Sequence, residues 1–113
     1  MEMLNKVELR GIVGNCRTQE YENIIHANFL VATNYSYKDR DGSPIVETTW
    51  HSVAAHEDKD KPIFDLAHLS MGDKVYIIGR IQNQRYMDKD GHEHSICRIL
   101  AQHISKVVEH DND

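Results

Sequence analysis

The sequence predicts an all-β protein: an OB-fold, which is a five-stranded Greek-key barrel with one short α-helix between strands 3 and 4. Three observations support this prediction. Five stretches alternate apolar and polar residues with the period of two that is typical of strands. Two charged stretches containing Asp-Gly separate the second stretch from the third and the fourth from the fifth, as hairpin loops do. One segment with helical spacing lies between the third stretch and the fourth.

The first strand is predicted over residues 7–14, where the glycines at positions 11 and 14 interrupt the alternation and permit a sharp bend. The polar residues 15–23 are expected to form a short irregular arm or an extension of that strand. The second strand is predicted over residues 24–37. One of its faces carries Ile25, Ala27, Phe29, Val31 and Thr33.

The third strand, residues 48–56, contains the only tryptophan of the chain. Alternation places Trp50 on one face with Thr48, Ser52, Ala54 and His56. A large ring among small polar neighbours is either a plug in a core built by other strands or a flat platform that is open for stacking. From this strand alone, burial in the core is the favoured interpretation, since aromatic side chains usually lie inside.

The remaining elements follow a charged connector over residues 57–62. A short helix is predicted because apolar residues recur at helical spacing from residue 63 to 69, and Gly72 ends it. The fourth strand is predicted over residues 74–81, with a polar continuation to residue 86, and the fifth over residues 92–107. Residues 1–108 therefore form the predicted OB-fold domain, and residues 109–113 form a short polar tail.

Bulk composition limits the possible functions. A chain of 113 residues suffices for one domain with one core. The net charge of -5 argues against an indiscriminate polyanion binder, so a nucleic-acid site has to be a local basic patch. No N-terminal signal core and no apolar run of membrane length is present, so a cytoplasmic protein without a membrane partner is expected. Cys16 and Cys97 lack CxxC spacing and are expected to be free thiols.

The sequence contains no recognisable catalytic or metal-binding set. His92 and His94 form an H-x-H pair on one face of the fifth strand, as metal ligands can. The sequence alone fixes no third ligand beside them, so a bare surface pair is the favoured interpretation. No Ser-His-Asp or Cys-His arrangement is identifiable. No enzyme, no metal and no cofactor are therefore expected.

Short motifs that follow this plan carry a resemblance. They are Asn5-Lys6-Val7 with Gly11-Ile12-Val13-Gly14, Ala32-Thr33, Thr49-Trp50-His51-Ser52-Val53, Gly72-Asp73-Lys74-Val75-Tyr76-Ile77-Ile78-Gly79, and Tyr86-Met87-Asp88-Lys89-Asp90-Gly91. In this order and at this spacing, they make the chain resemble the bacterial single-stranded DNA-binding protein (SSB) family over nearly its whole length.

The resemblance implies binding of single-stranded DNA without sequence preference, with bases stacked on aromatic side chains. Carried over residue by residue, the stacking positions are Tyr37, Trp50, His56 and Tyr86. Trp50 matches the family outright, while the two tyrosines stand where Trp is frequent. His56 stands where Phe is frequent, and a histidine ring stacks less well. Tyr35 shares a face with Tyr37 and either extends the platform or covers the core.

The predicted phosphate contacts are fewer than in typical members of the family. The candidate cations are Lys38, Arg40, Arg80, Arg85 and Lys89 near the loops, with Arg10, Lys6 and Arg17 at the N-terminal edge. Ser52 stands where the family often places an arginine, and only Arg85 remains before the last stacking aromatic. Aspartates interleaved in the loops partly cancel the loop cations. Because each lost phosphate contact reduces affinity, weaker DNA binding than that of a typical member is expected.

The resemblance also implies a homo-oligomer, a tetramer or alternatively a dimer, paired through first strands. The candidate interface consists of Lys6, Val7, Glu8, Leu9 and His51. Replication proteins are possible further partners, and the expected location is the cytoplasm, on the nucleoid.

Two other functional classes stay open. One is an accessory OB module resembling the primosomal replication protein N family, which acts mainly through protein partners. The other is an OB domain that binds a sugar or a peptide. Loss of a single-strand gel shift on substitution of Trp50 would separate DNA binding from both.

Overall fold

The computed structural model describes residues 1–108 of the chain. Its elements are the strands β1 (Val7–Tyr21), β2 (Ile24–Lys38), β3 (Pro44–Asp58), β4 (Lys74–Met87) and β5 (Glu93–Lys106), with one 3-10 turn (Leu66–His68) between β3 and β4. The strands form a closed barrel in the order β1-β2-β3-β5-β4. The predicted all-β OB-fold barrel is thereby confirmed. The predicted polar tail, residues 109–113, lies outside the described residues.

The barrel closes through one short parallel contact. Neighbouring strands pair antiparallel everywhere else, with long registers between β2 and β3 and between β4 and β5. The strands β3 and β5 pair in parallel at only two positions, Val53 with Ile99 and Ala54 with Leu100. Beyond this contact, β3 and β5 separate, and the outer surfaces of the two hairpins become accessible between them.

Strand β1 is longer than the segment 7–14 that the sequence pattern predicted. Its first half, from Val7 to Ile12, pairs with β4, and pairing with β2 begins at Ile12. A bulge follows Val13, after which the polar residues continue in register with β2 to Tyr21. Of the two expectations for residues 15–23, the strand extension is therefore correct for all but the last two.

Alternation along the strands builds the core. The largest fully buried side chains are Val13, Val31, Val53, Leu66, Val75 and Ile77. Five of these lie on strands and point into the barrel, and the sixth comes from the 3-10 turn. Burying aliphatic side chains of this size stabilises the fold by roughly 1.5–3 kcal/mol each.

The prediction of a short α-helix between strands 3 and 4 is wrong. The structure has only the three-residue 3-10 turn there, and no helix of the described residues is long and apolar enough to cross a membrane. Asp65 precedes the turn with φ 61°, in the left-handed region, which prevents a helix from starting earlier. The apolar residues of this segment nevertheless pack on the core, since Phe64 and Leu69 contact it beside buried Leu66.

A buried carboxylate explains this local conformation. Glu57, at the end of β3, is 4% exposed. Its oxygens accept hydrogen bonds from the backbone N–H groups of Ile63, Phe64 and Leu66, at 2.9, 2.8 and 2.6 Å. A single side chain thus satisfies the backbone donors that would otherwise face the core unpaired. The connector folds around Glu57 instead of forming helical turns.

The two predicted hairpin loops are confirmed and share one construction. In the first, the Asp39 carboxylate accepts hydrogen bonds from the backbone N–H groups of Asp41 and Ser43, both at 2.9 Å. Gly42 has φ 80°, a conformation that glycine adopts without strain. The second loop repeats these bonds and this glycine at Asp88, Asp90, Gly91 and His92.

Candidate nucleic-acid interface

The outward-facing side chains of β3 form the centre of the candidate site. We call Trp50, Ser52, Ala54 and His56 the outer strip. Their neighbours Val53 and Ala55 point into the core. The pattern of the third strand alone favoured burial of Trp50 in the core. In the structure Trp50 is 57% exposed, so its ring is a platform on the surface. Exposure of so large an apolar ring on a small domain is typical of binding surfaces.

The backbone beneath Trp50 is shaped to hold the indole flat. Trp50 pairs with Ala32 on β2, a small residue that leaves the ring uncovered. Gly14 of β1 lies under the far edge of the ring, where an added Cβ would approach the indole Cζ3 to 2.6 Å. A side chain at position 14 would therefore push the indole away. Gly14 was expected to permit a bend, and the structure shows that it also makes room for Trp50.

The other end of the outer strip carries two histidines. His56 pairs across the sheet with His26 of β2, and their ring centroids are 6.1 Å apart with an interplanar angle of 35°. Both side chains are exposed. Ala54 and Ser52 between the two ends are small, so the surface between Trp50 and His56 is low.

Tyr86 lies on the same outer side of the barrel. Cross-strand partners share a face of a sheet. Ala54 pairs with Leu100, and Leu100 pairs with Arg80. Counting along β4 from Arg80 in steps of two leads to Tyr86. Tyr86 is 45% exposed, and its ring stacks on His94 with a centroid distance of 5.1 Å and an angle of 20°.

Tyr37 lies on the opposite side of the β2–β3 ribbon from Trp50. Val31 pairs with His51 and is fully buried, so this pair faces the core. Steps of two along the ribbon lead from it to the pair of Tyr37 with Ile45, which therefore lies on the same side as Val31. Tyr37 is 43% exposed and lies 6.0 Å from the ring of Tyr35. The structure thus brings Trp50, His56 and Tyr86 to one face, and a ligand that also reaches Tyr37 has to pass around the ribbon.

Some of the candidate cations have partners within the protein. Arg85 forms an ion pair with Glu93 at 3.6 Å, and both side chains are exposed. The Arg10 guanidinium lies 5.5 Å from the centroid of the Tyr76 ring. Arg80 is exposed on the outer side of β4. Lys38, Arg40 and Lys89 are at or next to the two hairpin loops, among the aspartates that hold those loops.

Two arginines lie beside the outer strip: Arg17, one of the candidate cations, and Arg98, which was missed among the candidate ligands. Arg98 of β5 is half-buried, and its Nε donates a hydrogen bond to Gln82 Oε1 at 3.0 Å. Arg17 of β1 pairs with Asn28, which in turn pairs with Ala54 of the strip. The position of Arg98 follows from the parallel β3–β5 contact, which no hairpin pattern in the sequence reveals.

The predicted oligomer residues lie at one edge of the barrel. Val7 and Leu9 hydrogen-bond with β4 and not with β2, so the second backbone edge of this segment has no strand partner among the described residues. Lys6 and Glu8 form an exposed ion pair at 3.4 Å. His51 Nε2 lies 2.8 Å from Thr33 Oγ1, on the inner side of β3.

The acidic and histidine side chains of the second hairpin loop hold that loop. Within residues 1–108, Asp88, Asp90 and His92 bring one potential metal-ligand atom each to within 4.8 Å of one another. However, Asp88 Oδ1 accepts the backbone bonds of the turn, and Asp88 Oδ2 lies 2.6 Å from His94 Nε2. The hydrogen bond with His94, followed by the backbone bond from His92, holds the pKa of Asp88 below its usual value.

Both cysteines are free thiols, as predicted. Cys16 is half-buried against the core, and this burial, together with the nearby charge of Asp73, raises the pKa of its thiol. A raised pKa keeps the thiol protonated and unreactive at neutral pH.

Comparison with protein families gives one match over almost the whole chain. Residues 4–107 match the model of the Single-strand binding protein family. A single-stranded DNA-binding protein of Neisseria meningitidis serogroup A is 34% identical over 108 residues, which cover 92% of this chain and 60% of the relative. One of Rickettsia prowazekii is 32% identical over 117 residues, covering 96% of this chain and 75% of the relative. The chain thus spans three fifths of the Neisseria protein.

Solved structures agree with the fold. An SSB of Plasmodium falciparum in complex with ssDNA superposes with a TM-score of 0.79 at 22% identity, covering 96% of this chain and 98% of the other. A deletion mutant of the single-stranded DNA binding protein from Thermus aquaticus gives a TM-score of 0.73 at 20% identity, covering 93% and 51%. At these identities, the likeness establishes a common architecture.

Proposed function

Since this chain belongs to the Single-strand binding protein family, we propose that its barrel binds single-stranded DNA without sequence preference. Bases stack on exposed aromatic side chains, and cations neutralise the phosphates. Such binding protects or presents unpaired strands during replication, repair or recombination. The protein binds the strand without catalysing a reaction on it.

The exposed indole of Trp50 is the observation that carries this proposal. The ring rests on Gly14, opposite Ala32, and more than half of it is open to solvent. An aromatic platform of this kind takes any base, since every base has a flat face, and each stacked base contributes about 1–3 kcal/mol. His56 and Tyr86 on the same face extend the platform, and Tyr37 provides a stacking position on the other side of the ribbon.

Phosphate contacts follow from the cations around this platform. The proposed set comprises Lys38, Arg40, Arg80, Arg85, Lys89 and Arg10. The ion pair of Arg85 and the aspartates near the hairpin loops reduce what the loop cations contribute. We therefore expect moderate affinity that falls with salt, as is general for electrostatic binding to nucleic acid.

Association of copies is proposed through the open edge of β1. Residues 7–11 hydrogen-bond only with β4 among the described residues, so their other edge is available for a strand of a second copy. Lys6, Val7, Glu8 and Leu9 would line such a contact, and His51 a further one. A tetramer is proposed, with a dimer as the alternative. Replication proteins are proposed as further partners, in the cytoplasm on the nucleoid.

A titration of Trp50 fluorescence tests the proposal. Base stacking on an indole quenches its emission, and Trp50 is the only tryptophan. We expect oligo-dT to quench the emission at low salt and to do so less at moderate salt, whereas duplex DNA of the same length has little effect. Absence of quenching by oligo-dT at either salt concentration would overturn the proposal. Salt-insensitive capture of helicase-loading proteins, without DNA binding, would instead support the accessory OB module.

A further inference from the structure

Three adjoining depressions cover the outer strip and the strands beside it. The first, of about 370 Å³, is lined by Trp50 and Ser52 of β3 and by Arg98 of β5. Its far wall includes Val7, Leu9 and His51, which also belong to the proposed contact between copies. The second, of about 210 Å³, shares Ser52 with the first and extends to Asn28 of β2 and Arg17 of β1. A molecule lying in one depression is therefore in contact with the wall of the next.

The third depression completes the series. It has a volume of about 120 Å³ and reaches His56 at the far end of the strip. It shares Asn28 with the second depression and Arg98 with the first. Each depression thus shares a lining residue with both of the others. Together they form one shallow track along β3, with an arginine from β1 on one side and an arginine from β5 on the other.

The charge of this track is opposite to that of the whole protein. The chain carries a net charge of -5, yet within residues 1–108 no aspartate or glutamate lines any of the three depressions. Arg17 and Arg98 also take part in no ion pair within that described part. Two arginines without acidic partners on a concave surface attract an anion.

We propose that Arg17 and Arg98 bind phosphates of the DNA strand whose bases stack on the outer strip. This inference rests on the proposed function and identifies which cations dominate it. Ser52, at the position where the family often has an arginine, leaves the middle of the track uncharged and low. The arginines of β1 and β5 reach the strand from its two sides instead.

The two arginines reach the strand from opposite sides of β3. Going from β1 through β2 and β3 to β5 takes three strand spacings, so the two backbones are about 14 Å apart. Each arginine lines a depression that also includes Ser52. A strand held by both arginines therefore lies over β3, with Ser52 beneath it.

Arg98 is oriented for this role by Gln82. The hydrogen bond from its Nε to Gln82 occupies one of the five guanidinium donors. The terminal N–H groups remain for a phosphate, which arginine binds through two parallel hydrogen bonds. Because Arg98 is half-buried and already held, it loses less side-chain entropy on binding than a free surface lysine does.

The test is the salt dependence of oligo-dT binding, measured for wild type, Arg17→Gln, Arg98→Gln and the double variant. Each lost phosphate contact makes the slope of log K against log salt less negative by about 0.7. Between about 50 and 200 mM salt, the advantage of wild type over each single variant should therefore shrink about 2.5-fold. The double variant should lose both contacts.

Three further variants keep this test specific. Lys61→Gln removes the same charge at an exposed site that lines none of the depressions, and should leave the slope unchanged. Arg98→Lys keeps the charge and should keep most of the slope. Gln82→Ala removes the hydrogen bond to Arg98 but no charge, so it should also keep the slope.

The outcomes separate this inference from the proposed function. The inference would be overturned if Arg17→Gln and Arg98→Gln bound oligo-dT with the wild-type salt slope and unfolded at the wild-type temperature. The proposed function would then still stand. Equal slope changes in Lys61→Gln would also overturn it, since the effect would then be one of net charge. A wild type that does not bind oligo-dT would overturn both.

Discussion

The outer strip of β3 and the two hairpin loops both lie on the outside of the barrel, but their side chains have different tasks. In each loop, an aspartate accepts two backbone hydrogen bonds and a glycine takes a φ near +80°. The role of these residues is to build the turns. The strip has an exposed indole over a glycine, small residues next to it and no acid in the depressions along it.

Under the proposed function, the difference separates residues that serve binding from residues that serve stability. Trp50 does little for the fold, because most of the residue remains in water. Asp39 and Asp88 do little for binding, because their carboxylates face their own backbone and repel phosphates. Substitution of Trp50 should therefore change DNA affinity, and substitutions of the loop aspartates and glycines should change stability.

Replacing the platform should give the largest effect on binding. Trp50→Ala is expected to lose about 1–3 kcal/mol of binding free energy for oligo-dT, which is roughly 5-fold to 150-fold in affinity. A gel shift with single-stranded DNA should weaken accordingly, and the midpoint of urea unfolding should hardly move. Trp50→Phe, which keeps an aromatic ring, should retain most of the affinity. A large loss of stability with unchanged affinity would reverse the roles assigned to the two regions.

Displacing the platform should give an intermediate effect. In Gly14→Ala, the new methyl group meets the indole edge at 2.6 Å, so the ring has to tilt. We expect a loss of about 1 kcal/mol in oligo-dT binding, less than for Trp50→Ala. Adding Gly14→Ala to Trp50→Ala should have no further effect on binding, because the ring that it displaces is gone. Additive losses in that double variant would contradict the contact described between the two residues.

Substitutions of the loop glycines should affect stability alone. Gly42→Ala and Gly91→Ala place a side chain where φ is positive, which costs about 1–2 kcal/mol of folding free energy. Within residues 1–108 and apart from the adjacent residues, no heavy atom lies within 4 Å of the added methyl group at either site, so the cost comes from the backbone. Urea unfolding should detect the loss, and oligo-dT affinity should remain near that of wild type. A strong loss of affinity in a folded Gly42→Ala variant would place the binding site at the loop.

Protonation of Asp88 in the second loop should produce the smallest effect. The pKa of Asp88 is lowered in the folded protein by the hydrogen bond with His94, so the ionised carboxylate stabilises the fold. This stabilisation is complete above the unfolded pKa, about 3.9, and is lost as the pH falls through the lower folded value. The difference in unfolding free energy between wild type and Asp88→Asn should therefore shrink on acidification from pH 6 to below 3. A difference that stays constant over this range would contradict the assigned cause.

The architecture was predictable because local signals agreed with it. Alternation placed Phe29 and Val31 on one face of the second strand, which the structure buries, and the two Asp-Gly sequences located both hairpins. The helix prediction failed because Glu57 binds backbone groups that lie six to nine residues further along the chain. Apolar spacing cannot distinguish such a connector from a helix, since both bury Leu66.

The arrangement of the candidate site residues was harder to predict than the fold. Trp50 could be identified by the resemblance, whereas its strand alone favoured burial. The separation of Tyr37 from Trp50 follows from the parity of the β2–β3 register, which depends on where the loop closes. Arg98 borders the strip only because β5 pairs with β3 in parallel, a contact between residues more than forty positions apart.

The most direct test is to record which backbone amide signals change when oligo-dT binds, by NMR of the uniformly labelled protein. The account predicts large shifts for the Trp50 indole N–H and for the amides of Ser52 and Ala54. It predicts small shifts for the amides of Gly42 and Gly91 at the loops. Large shifts at the two glycines, with the indole signal unchanged, would contradict the assignment of binding to the outer strip.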